Sequence, residues 1–267
     1  MGKLKHAPVF YVIAQVTHSP ILKLDSLIPE LQEHLRKEGF PGYRPESQVS
    51  LQIDANPASP PETKVSHVVV TQHIFSTRDG SASFVVGPDA FAFQTVEYET
   101  IDVFADTFAR GLRAIQKVLA PDSFTRVGMR FLDAVVPREG AAPSEYIRKQ
   151  FMGLQDTLSD DWTTAYTFSE AIQARGDQQT RARVLTRSSA LAWPQDLAAT
   201  APRLPERFAA IAGVHTVIDS DASFTLADGA AQEFEEKVIL DRLLSLKADI
   251  RDTFKAVVTE TALNDWK

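Results

Sequence analysis

Apolar and polar positions alternate or recur at helical spacing along most of the chain. An apolar run from Phe10 to Val16 reads as a strand. Leu24, Leu27, Ile28, Leu31 and Leu35 then fall on one helical stripe, with Asp25 or Ser26 as a cap and Gly39 as a stop. Pro29 is tolerable only near the first turn of that helix. Residues 41–47 predict a loop, and Val49, Leu51 and Ile53 a short strand. Pro57, Pro60 and Pro61 mark the following stretch as a surface loop. Residues 65–98 predict an antiparallel meander. One turn falls at Asp79-Gly80, which supplies the positive φ of a tight hairpin, and another at Gly87-Pro88-Asp89. Ile101, Phe104, Phe108, Leu112, Ile115 and Leu119 predict a helix from Thr100 to just before Pro121.

The pattern then repeats in outline. A strand is predicted at 124–136 and a helix capped by Ser144, carrying Ile147, Phe151 and Leu154. Strands follow at 164–174 and 181–188 about a Gly176-Asp177 turn. Residues 190–210, rich in Ala and Pro, read as an insertion with a short helix near 206–212. Val214 to Ile218 is a strand, and 231–263 a long helical region with a break near Asp241. The expected class is α+β: two pseudo-repeated β-α-β-β-β-α halves, 1–121 and 122–267, forming antiparallel sheet covered by helices within one compact unit.

Composition narrows the chemistry. The chain has 267 residues and a net charge of −7, which disfavours nucleic acid unless Lys and Arg gather on one face. The absence of cysteine removes disulfides, thiolate metal sites and thiol nucleophiles. The first apolar run is short for a signal peptide, and no stretch approaches the ~18 apolar residues of a membrane span, so a cytoplasmic location is expected. No Gly-rich phosphate loop and no nucleophile-elbow pattern occurs around Ser188-Ser189 or Thr163-Thr164.

Arg126 and Arg130 lie four apart on a strand, hence on one face, with Gly128 between them. Two planar guanidinium forks could clamp a carboxylate or phosphate. Cross-strand ion pairing is the plainer alternative. Trp193, inside the insertion, is a candidate contact residue, with a packed tryptophan as the alternative. Asp219 and Asp221 could hold a divalent cation or act as an acid/base pair, although Asp and Ser are also common where a strand turns. His67 and His73 would stand about 20 Å apart on a regular strand, too far to share one metal. His18 and His215 have no identifiable partners and read as packed or surface residues.

Four places carry a family resemblance: Leu4 with Ala7-Pro8-Val9; Tyr98-Glu-Thr100 leading to Phe104; Arg126-Val-Gly-Met-Arg-Phe-Leu-Asp133; and Ile250, Phe254, Val258-Thr259 and Trp266 with Val217-Ile218-Asp219 and Asp221 upstream. In these the chain resembles a sporadically distributed bacterial family of uncharacterised proteins of similar length. Phe10 and Tyr11 stand where that family often has an acidic residue. The resemblance implies a single whole-length unit and carries no activity or catalytic residues. At the level of fold alone, tandem units of this kind resemble TATA-binding-protein-like saddles.

The leading reading is a non-enzymatic, cofactor-free binding module for a protein partner or a small anionic ligand, with Arg126, Arg130 and Trp193 as ligand contacts and a homodimer compatible with it. The alternative is a metal-dependent hydrolase or nuclease using Asp219 and Asp221.

Overall fold

A computed structural model describes residues 6–54, 64–154 and 161–267. The predicted loop prolines, Pro57, Pro60 and Pro61, lie outside the described residues. The strands are β1 (Val9–His18), β2 (Gly42–Asp54), β3 (Lys64–Ser76), β4 (Ala82–Val86), β5 (Ala90–Thr95), β6 (Ser123–Val135), β7 (Tyr166–Arg175), β8 (Gln178–Ser188), β9 (Val214–Thr225) and β10 (Gln232–Glu233). The helices are α1 (Leu24–Lys37), α2 (Ile101–Val118), α3 (Pro143–Tyr146), α4 (Glu206–Ala209), α5 (Glu236–Val257) and α6 (Glu260–Asp265). The chain is mixed α+β. Among the described residues one antiparallel sheet runs in the order β2-β3-β4-β5-β1-β6-β9-β8-β7, with β10 beside β6. No described helix is long and apolar enough to cross a membrane.

Several elements differ from their sequence expectations for identifiable reasons. β2 begins at Gly42, so the predicted 41–47 loop is largely strand. Pro45 is tolerated there because β2 is the outermost strand and bonds only to β3, so its missing N–H costs no inner ladder bond. The predicted helix after Ser144 is only the four-residue α3 and a 3₁₀ turn, Lys149–Phe151. Ile147 breaks it by bridging to Val258. Asp219-Ser220-Asp221 does not turn: β9 continues to Thr225 because β6 and β8 pair with it on both sides. The C-terminal helical region breaks at Val258 rather than near Asp241, and Thr259 caps α6 by accepting a bond from the Ala262 N–H.

β1 and β6 pair at the middle of the sheet, and their register decides the architecture. Val12, Ala14 and Val16 of β1 and Val127, Met129 and Phe131 of β6 face α2 and α5 and form one core with Phe104, Phe108, Leu112, Leu243, Leu246 and Ile250. Near Phe10 the register shifts by one residue, so Val9 pairs with Asp133 while Tyr11 pairs with Leu132. Such a bulge turns two successive side chains out of strict alternation. Phe10 and Tyr11 accordingly both join the second face's cluster, with Leu132, Leu197, Phe208 and the half-buried Trp193. The insertion therefore roofs the centre of the sheet opposite the helices.

Gly111 marks the closest approach of α2 to the sheet. A Cβ there would stand 2.4 Å from a ring carbon of Phe84 and 2.7 Å from one of Phe91, both fully buried. Ala normally stabilises a helix interior over Gly by about 1 kcal/mol. Overpacking a rigid core costs about 1–3 kcal/mol, and here it dominates. Gly111→Ala is therefore expected to lower stability by about 1–2 kcal/mol, read from the denaturant midpoint at constant slope; a higher midpoint would mean that the two rings move freely.

Candidate functional site

The face of β6, β8 and β9 turned away from α5 carries an ionic network. Cross-strand pairing sets Arg130 opposite Asp221 and Arg183 opposite Asp219. Arg130 donates from Nε and Nη2 to the two oxygens of Asp219 at 2.7 and 2.8 Å, and from Nη1 to Asp196 at 2.5 Å. Arg183 donates to Asp219 at 3.1 Å and to Glu170 at 2.9 Å. The two-pronged Arg130–Asp219 contact is the strong geometry for this pair. Burial opposes the charge on Arg130, but its bonds to Asp219 and Asp196 hold its pKa above the ordinary value. Asp196 belongs to the insertion, so this contact also ties the roof to the sheet.

The residues singled out from the sequence fall around that network. Arg130 is buried and its three nitrogens are committed to carboxylates. Arg126 is half-buried, donates to Gln15 at 3.3 Å and lies over Gly128, where an added Cβ would come within 2.7 Å of its guanidinium. Trp193 packs edge-on against Tyr11 at 5.1 Å and against Phe10 at 5.7 Å. Asp219 and Asp221 share the face with the arginines; burial raises the pKa of the Asp221 carboxyl, with Arg126 opposing. Among the described residues no group of three or more His, Cys, Asp or Glu is placed to hold a metal ion. His18 and His215 are buried and bond the carbonyls of Ser19 and Gly213, while His73 meets Tyr43 and Asp25.

A second group of residues, not found from the sequence, lies on the helical face. A cavity of about 570 Å³ opens between β6, the start of α2 and α5. Val9, Ile101, Phe131, Leu244, Ile250 and Phe254 supply apolar lining. Asp133 and Lys247 bring charge into it. Asp133 continues the inward series Val127, Met129, Phe131 and is only 6% exposed. Lys247 follows Leu243 by four on α5, on its buried side. Its Nζ stands 3.9 Å from the Phe131 ring centroid and 5.6 Å from that of Tyr98. No hydrogen bond to another described residue contributes to the ionisation of either group. A charge at each of two inward positions was the available sequence signal.

Burial pushes the Asp133 carboxyl up to about 7, partly opposed by the attraction of Lys247. Burial pushes the Lys247 amine down to about 8, with Asp133 opposing and Arg251 reinforcing the shift. Stacking of the ammonium on Phe131, worth about 0.5–2 kcal/mol, offsets part of the lysine's desolvation. Among the described residues, Glu99 and Asp102 at the start of α2, Tyr98, and Arg251 on α5 are the other ionisable groups lining the cavity. No protein-family model and no curated protein matches the chain.

Two stability measurements follow from these geometries. Asp219→Ala strands Arg130 and should cost about 3–5 kcal/mol, nearer 3 because Asp196 remains. Asp196→Ala, which removes a largely exposed partner, should cost about 1 kcal/mol or less. Equal losses in denaturant unfolding would show that the two-pronged contact is not the stronger one. For Asp133, the folded pKa lies above the unfolded one, so its contribution to stability is intact below about pH 4 and is lost as pH rises through about 7. Asp133→Asn should remove that decline, gaining on the order of 4 kcal/mol over the wild type at pH 7.5 relative to pH 4. Unchanged pH dependence would place the Asp133 carboxylate in contact with solvent.

Proposed function

We propose that this protein is a binding module for a small anionic ligand with an apolar body, seated in the cavity between β6, α2 and α5. The carrying observation is a lysine amine and a carboxyl group, neither hydrogen-bonded to another described residue, inside an otherwise largely apolar cavity. Its volume lies within the range of about 300–1,000 Å³ common for ligand sites. Apolar walls favour a hydrocarbon or aromatic body, and Lys247 supplies the counter-charge. The N-terminus of α2, capped at Thr100, adds a favourable dipole at the rim. Glu99 and Asp102 work against a highly charged ligand and favour a single negative group.

The arginine face supports this choice by contrast. Arg130 and Arg183 already occupy the oxygens of Asp219, which weighs against a metal-dependent hydrolase there and against Arg130 as an open anion clamp. We further read 1–121 and 122–267 as related halves. That reading is supported by β5 returning to pair with β1, by β9 returning to pair with β6, and by a long helix after each return.

Ligand binding should follow the charge in the cavity. Lys247 is charged and Asp133 neutral below about pH 7; above about pH 8 the order is reversed. The fluorescent aryl sulfonate 8-anilinonaphthalene-1-sulfonate should bind the folded protein with one-site stoichiometry. Its affinity should fall as pH rises through about 8. It should also fall about tenfold in Lys247→Met, a loss of about 1.4 kcal/mol. Equal affinity in the folded Met variant, with circular dichroism unchanged, would reject the site.

A further inference from the structure

Lys247 combines features that simple charge recognition does not require. Its amine lies over an aromatic ring in an apolar cavity, and the same cavity holds a buried carboxyl group. A lysine that only neutralised an anion would do so better at a wetter rim, where the exposed Arg251 lies. We propose that Lys247 forms a reversible imine with the aldehyde or ketone carbonyl of an apolar, singly anionic ligand, with Asp133 carrying the protons. This rests on the cavity being the ligand site and adds a covalent step to it.

The step is balanced by the groups present. The lone pair of the neutral Lys247 amine attacks the carbonyl carbon and forms a C–N bond, while the carbonyl π pair moves to oxygen. Asp133 in its acid form protonates that oxygen, and the resulting carboxylate takes the proton released by nitrogen. The carbinolamine then loses its hydroxyl as water, again with a proton from Asp133, as the nitrogen lone pair forms the C=N bond. The protonated imine then returns its N–H proton to the Asp133 carboxylate, so the net change is amine plus carbonyl to imine plus water, and no oxidant or reductant is used. The apolar walls disfavour the ammonium form and limit the water that would reverse the reaction. At pH 7.5 an amine near 8 is about 200-fold richer in its neutral form than a free lysine near 10.4. Among the described residues, Asp133 on β6, Tyr98, Glu99 and Asp102 at the start of α2, and Arg251 on α5 are the charged and titratable groups lining the cavity with it.

The test uses 4-formylbenzoate at pH 7.5, trapped with sodium borohydride, and peptide mass spectrometry to locate the reduced adduct. The non-reactive 4-methylbenzoate, followed by NMR shifts, reads binding without chemistry. The proposal expects Lys247 to be labelled at least about tenfold faster than any other lysine, since its neutral fraction exceeds that of a free lysine by more than that. It also expects 4-methylbenzoate to protect Lys247 from labelling. Lys247→Arg should lose the adduct yet still bind 4-methylbenzoate. Asp133→Asn should slow trapping more than it weakens 4-methylbenzoate binding. If 4-methylbenzoate shifts the cavity residues while Lys247 is labelled no faster than the rest, the imine is refuted and the binding site stands. If neither probe reaches the cavity, both readings fall.

Discussion

The antiparallel pairing of β1 with β6 at the centre of the sheet is the constraint on which the other arrangements rest. Both strands are covered on both faces at the sheet's centre, so their register assigns every side chain to one of two interiors. Val12, Val16, Val127 and Phe131 go to the helices. Arg130 and Leu132 go to the insertion. The bulge at Phe10 adds one exception, sending Phe10 and Tyr11 together beneath Trp193. Shifting this pairing by one residue would send Arg130 into the helical core and Phe131 to the insertion.

The same alternation sends two acidic–basic pairs to opposite faces, and their surroundings give them opposite characters. Arg130 is on the insertion face, where Asp219, Asp196 and Arg183 complete a network of short bonds. A buried charge surrounded in this way is stable and chemically quiet. Asp133, three residues further on, is on the helical face, where it lies near Lys247 with no hydrogen bond to another described residue contributing to its ionisation. Each group is therefore pushed toward its neutral form, the condition in which a carboxylic acid can give a proton and an amine can share its lone pair.

Much of the secondary structure was legible because it depends on local pattern. The stripe from Leu24 to Leu35 and the one from Ile101 to Val118 are helices. The Gly80 turn, with φ at +72°, joins β3 to β4 as a hairpin connection should. The failures share one cause. Pro45, Asp219 and Asp221 look like strand breakers or turn residues when read singly. Pro45 is accommodated by an edge, and the two aspartates by arginines on neighbouring strands. Both facts depend on partners far away in the chain.

The site divides along the same line. The spacing of Arg126, Arg130, Asp219 and Asp221 along their strands established that each pair shares a face, because the period of two is a local property of an extended backbone. Tertiary structure decided that Arg130 and Arg183 neutralise Asp219, since only sheet order brings β6, β8 and β9 side by side. It also decided that Asp133 meets Lys247 across 114 residues of chain, because α5 must fold back over β6 to bury Leu243, Leu246 and Ile250. Apolar patterning could foretell that α5 buries a face; which carboxyl group that face would cover depended on where the helix came to rest.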